Sequence, residues 1–68
     1  MKIEYDPQAD ALYIRLVAGE VADSDEVREG VVFDYDAAGR VLGIEILDVS
    51  QRTDNPREMA FEMLAETT

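Results

Sequence analysis

Cysteine and histidine are both missing from the 68 residues. Without cysteine there is no disulfide, no thiolate metal ligand and no thiol nucleophile. Without histidine, the commonest general base and the commonest transition-metal ligand are gone as well. Basic residues are scarce: 6 Lys and Arg stand against 16 Asp and Glu, for a net charge of −10. A field of that sign repels phosphate backbones and anionic membrane surfaces, which argues against nucleic-acid and membrane partners. It suits a basic protein partner, divalent cations or plain solubility. No apolar run is long enough to span a bilayer, and the opening MKIEYDPQAD carries no apolar signal core. The expected location is therefore the cytoplasm.

Length sets a further limit. A chain of 68 residues makes one domain, spanning residues 1–68. So small a domain buries a smaller fraction of its surface than a larger one and is marginal on its own. Small proteins offset this with a disulfide, a metal or a partner subunit. With the first excluded, self-association becomes the expected compensation.

What is present reads mostly as strand. Residues 2–5, KIEY, alternate polar and apolar, and so do residues 11–17, ALYIRLV. There Leu12, Ile14 and Leu16 share one face, and Tyr13, Arg15 and Val17 the other. Between the two runs, Asp6-Pro7 opens a turn, so they predict a hairpin. Residues 20–28, EVADSDEVR, fit either a polar edge strand or a loop. The strongest strands are 31–35, VVFDY, and 41–47, VLGIEIL. Gly39 between them suits the left-handed position of a short bulged hairpin loop.

Beyond a polar, turn-rich stretch at 48–55 the texture turns helical. Asn55 fits an N-cap, Pro56 the first helical position, and Glu58 the third residue of a capping box. Met59, Ala60, Met63 and Leu64 then form a stripe with Phe61 on its flank, while Glu58, Glu62 and Glu66 lie opposite. The expected fold is α+β: an antiparallel β-meander of four to five strands over residues 2–50, with one C-terminal helix, residues 56–65, packed on the sheet.

Two pieces, KIEYDPQADALYIRL and EVREGVVFDYDAAGRVLGIEILDVS, carry a recognisable pattern. It reads Y-D-x-x-x-D-A-L-Y-I, then E-G-V-V-x-D-Y-D, then G-x-x-x-G-I-E-I-L. In this the chain resembles the family of small bacterial and archaeal proteins called domain of unknown function 2283, or YuzE-like. The resemblance runs from about residue 2 to residue 50 and implies a small β-meander with a C-terminal helix. It implies no catalytic residue, cofactor or ligand. It does suggest, by analogy of genome arrangement, a small toxin-like partner that an acidic subunit would neutralise.

Three constellations hold the remaining chemistry. In DYDAAGRVLGIE, residues 34–45, Asp34, Asp36, Gly39 and Glu45 fall at the first, third, sixth and twelfth positions of an EF-hand loop. Ala38 stands where a further oxygen ligand belongs, and both flanks are strands rather than helices, so an Asp-initiated hairpin turn is the plainer reading. The second is the outer sheet face, where alternation gathers Tyr13, Arg15, Asp34 and Glu45. It offers a binding patch or, more plainly, a cross-strand ion-pair ladder of Arg15 with Asp34 or Glu45. Gly43 nearby marks either a bulge or a place for a large side chain, with Tyr13 as the natural occupant. The third is the acidic run Asp23, Asp25, Glu26 and Glu29, a docking stripe or a solvated edge.

No catalytic motif emerges, and no cofactor is implied. The expectation is a non-enzymatic protein acting by association, as a homodimer or with a small basic partner. Its interaction surface would comprise Tyr13, Arg15, Asp34, Glu45 and Phe61. The alternative is a divalent-cation or small-ligand module using Asp34, Asp36 and Glu45.

Overall fold

The computed structural model describes residues 1–66. Five antiparallel strands form one sheet: β1 (Lys2–Asp6), β2 (Ala11–Arg15), β3 (Asp23–Arg28), β4 (Val31–Tyr35) and β5 (Val41–Leu47). A single turn of 3-10 helix, Val49–Gln51, follows β5. The strand order is β1-β2-β5-β4-β3. This corrects the expectation of a simple meander. Strands β3, β4 and β5 do follow one another across the sheet, but the β1–β2 hairpin then joins on the far side of β5.

The physical reason lies in side-chain character. The longest apolar strand, β5, takes the centre, where both of its edges are paired. The polar DSDEVR strand goes to the rim, where it meets water. Acidic side chains and a register shift between Glu26 and Arg28 blunt that rim against pairing with other chains.

The topology requires a link from β2 to β3 that passes the ends of β5 and β4. Residues 16–22 make it. The Leu16 and Val17 amides both donate to the Leu42 carbonyl, and the Ala22 amide donates to the Tyr35 carbonyl. Gly19 lies against the Leu42 side chain so closely that an added Cβ would sit 2.8 Å from its Cδ2. At the opposite end, the 3-10 turn closes the sheet. The Val49 amide donates to the Asp10 carbonyl, and Arg52 donates to the Leu47 and Glu29 carbonyls at 2.8 and 2.7 Å. Gly30, at φ +76°, leaves the space that the Arg52 guanidinium fills.

The helix expected over residues 56–65 is absent. Its start signals are nonetheless used. The Arg57 amide donates to Asn55 Oδ1, the Glu58 amide donates to the Asn55 carbonyl, and Asn55 Nδ2 donates to Glu58 Oε2. One capped turn forms and does not propagate. A helix of about ten residues is marginal without a surface to bury its stripe. Here Phe61 is 83 % exposed, and Met59, Met63 and Leu64 are exposed with it.

With no helix on the sheet, there is no second layer among the described residues. Leu42, fully buried, and Val49, 6 % exposed, are the buried hydrophobic side chains among the described residues. No helix among them is long and apolar enough to cross a membrane.

Candidate interaction surfaces

Register decides which side chains meet. Directly opposed residues of neighbouring strands share a face. One row runs Glu4, Tyr13, Glu45, Val32, Glu26, and the next runs Lys2, Arg15, Gly43, Asp34, Ser24. These two rows form the polar face. Tyr13, Arg15, Asp34 and Glu45 thus lie on one side, as alternation predicts.

At its centre, Tyr13 crosses β5 through the gap above Gly43. A Cβ on Gly43 would fall 2.4 Å from the Tyr13 hydroxyl oxygen. Both readings open for this glycine are realised: the register of β4 on β5 shifts directly after the Asp34–Gly43 pair, and the missing side chain makes room for Tyr13. The Tyr13 hydroxyl then donates to Asp34 Oδ2 at 2.8 Å, and Ser24 Oγ donates to Asp34 Oδ1 at 2.6 Å. Three strands, β2, β4 and β3, are stapled by one carboxylate. Burial and the Asp34 carboxylate together raise the Tyr13 pKa above its ordinary 10.0.

The expected ion-pair ladder does not form. Among the described residues the ion pairs are Lys2 with Glu4 at 3.7 Å and Arg40 with Asp36 at 3.1 Å. Arg15 lies instead over the Tyr13 ring, 5.4 Å from its centroid. Directly opposite Arg15 stands Gly43, which offers no side-chain partner.

Nor do Asp34, Asp36 and Glu45 converge. Asp34 is committed to Tyr13 and Ser24. Asp36 closes its own loop: Oδ1 accepts from the Ala38 and Arg40 amides, and Oδ2 from Arg40 Nε. The Arg40 amide bond is the leading cause that lowers the Asp36 pKa. Gly39 completes this turn at φ +84°. No group of three or more His, Cys, Asp or Glu side chains placed to hold a metal ion occurs among the described residues.

Phe61 lies outside the sheet altogether, on the exposed tail. Reading by strand alternation also passed over Asp10. This residue adopts φ +53° and accepts from Tyr5 Oη at 2.8 Å, from the Ser50 amide at 3.0 Å and from Ser50 Oγ at 2.5 Å. Those bonds lower the Asp10 pKa, led by the Ser50 hydroxyl, and raise that of Tyr5. The signals in the sequence were an Asp ending a turn and its place in the Y-D-x-x-x-D-A-L-Y-I pattern, and its partner Ser50 stands 40 residues away.

The second face is apolar. Its rows run Ile3, Ile14, Ile44, Phe33, Asp25 and Tyr5, Leu12, Ile46, Val31, Arg28. Ile3 is 42 % exposed, and Leu12, Ile14, Val31, Phe33, Ile44 and Ile46 are half-buried. Phe33 and Tyr35 stand side by side, ring centroids 6.4 Å apart. Eight large apolar or aromatic side chains therefore make a continuous surface with charge only at its β3 margin.

Compared with known proteins, the chain matches the family model described as "Protein of unknown function (DUF2283)" over residues 2–50. No curated protein and no solved structure matches.

Proposed function

The chain belongs to the DUF2283 family, and for this member we propose a non-enzymatic role in protein–protein association, with the apolar sheet face as the surface that meets the partner. One observation carries the reading: a sheet of five strands has a whole apolar face with no second layer over it. A sheet that is hydrophobic on one face needs another element against it, and contiguous uncovered apolar patches of this kind mark association sites. The polar face supports the non-enzymatic part. Its Asp34 carboxylate accepts from the Tyr13 and Ser24 hydroxyls across strands on an open surface, whereas acid–base chemistry needs a sheltered pair of groups held at different pKa values.

The partner classes are a second copy of the chain or a small basic protein, and a cytoplasmic setting accords with either. Sedimentation velocity on the purified full chain tests the reading. The expected result is a species heavier than the monomer, or a basic protein that co-purifies in fixed ratio. A clean monomer with nothing bound, at all accessible concentrations, overturns it.

A further inference from the structure

Surface area measures how much of this chain is left uncovered. A folded monomer of 7.6 kDa has an expected accessible surface of about 4,300 Å². The chain exposes 5522 Å², an excess of about 1,200 Å² over that scaling. A stable interface of standard size buries about 800 Å² on each partner. The exposed tail, with Phe61, Met63 and Leu64 in solvent, makes up part of that excess, and the uncovered sheet face adds to it. The molecule measures 41 × 33 × 19 Å, and its radius of gyration is 13.8 Å, against about 11 Å for a compact domain of this length; the tail contributes to both.

The distribution of charge selects the occupant. Of the net −10, very little lies on the apolar face. Glu4, Glu45, Asp34 and Glu26 all point from the opposite side, and Asp25 and Arg28, of opposite sign, sit at the β3 margin. A basic protein placed on Ile14, Ile44 and Phe33 would find no carboxylate in the middle of the patch to meet its charges. An identical face asks for none, and a twofold axis makes one patch complementary to itself.

Resting on the association reading above, we propose that the apolar face is closed by the same face of a second copy. The product is a two-layer β-sandwich dimer with the acidic faces outward. Sheets packed in this way lie about 10 Å apart with their strands within about 30° of alignment. Ile44, on the central strand, then lies near the twofold axis and faces its own counterpart. Because each subunit carries the same acidic charge, added salt screens their repulsion and strengthens the dimer. A basic partner would be released by salt instead.

The lack of any native cysteine makes the test direct. Ile44→Cys and Glu45→Cys place one thiol on each face of the same strand in the full chain. Under mild oxidation, Ile44→Cys is expected to give a covalent dimer on a non-reducing gel and Glu45→Cys to remain monomeric. By sedimentation equilibrium, the unmodified chain should dimerise more tightly at 0.5 M than at 0.05 M sodium chloride, concentrations spanning about 14 to 4 Å of screening length. Ile3→Glu, on the rim strand where a charge is least able to unfold the chain, should weaken the dimer about tenfold or more. Circular dichroism confirms that each variant is folded.

A dimer that cross-links through Glu45→Cys but not Ile44→Cys, or that Ile3→Glu leaves intact, overturns this face assignment and leaves association standing. So does a monomer that co-purifies with a basic protein. A monomer with no partner overturns both.

Discussion

Gly43 shows how one missing side chain organises a face. Tyr13 lies over it to reach Asp34, and the carboxylate then gathers Ser24 from the edge strand. Gly43→Ala would force the tyrosine out of its slot, at a cost of about 1–3 kcal/mol, as expected for overpacking. Tyr13→Phe keeps the ring and removes only the bond, costing about 0.5–1.5 kcal/mol. In the background of Gly43→Ala, Tyr13→Phe should cost less than it does alone, because the bond is already broken. Urea denaturation of the two single variants and the double variant checks this coupling.

Titration follows from the same kind of contact. Asp10 and Asp36 have pKa values lowered from the ordinary 3.8. Their stabilisation is present above 3.8 and is lost as pH falls through the lower folded values. Tyr5 and Tyr13 are raised from 10.0. Theirs is present below 10.0 and is lost as pH rises through the higher folded values. The urea midpoint is therefore expected to hold steady between these limits and to fall beyond each. Asp10→Asn should reduce the acid limb to the share of Asp36 and, by removing the partner of Tyr5, leave the alkaline limb set by Tyr13. Much of the polar face was legible in advance, because alternation alone places Tyr13, Arg15, Asp34 and Glu45 together. Their pairing was not, since alternation gives the face of a side chain and not its reach. Arg15 lost its expected carboxylate to distance and gained a ring.

Among the elements, the tail residues 56–66 are where local signals and global packing part. Asn55, Pro56 and Glu58 specify the start of a helix, and the first turn forms. Propagation would need a surface for Met59, Met63 and Leu64, and the chain packs none there. Ala60→Pro is a sharp check. In a helix interior proline costs about 3 kcal/mol or more. Here it should shift the unfolding free energy by less than about 0.5 kcal/mol, as at other exposed positions. The strands were legible because period-two alternation is a local property, and the 20–28 stretch resolves into an edge strand at Asp23–Arg28. Their order was not. Nothing local in KIEY or ALYIR states that this hairpin adds beside β5 rather than β3. That choice follows from burying the most apolar strand at the centre.

At the level of the whole molecule, the two faces divide the labour of the sequence. One carries Glu4, Glu26, Asp34 and Glu45 with the polar network around Tyr13. The other carries the apolar surface and leaves it open. Because a dimer is favoured by mass action, the melting temperature should rise with protein concentration. Differential scanning calorimetry across a hundredfold dilution series checks it, and a concentration-independent transition would count against the dimer.

The β2–β5 seam has a consequence in time as well as in space. Ala11 pairs with Leu47 and Arg15 with Gly43, the widest sequence separations in the sheet. The two hairpins on either side of the seam close over short loops, while the seam must await the route of residues 16–22 past the ends of β4 and β5. Loop-closure entropy makes such long-range pairing the slow step. Ile14→Val, at the seam, should then slow refolding in stopped-flow measurements. Val27→Ala, on the outer edge strand, should chiefly speed unfolding.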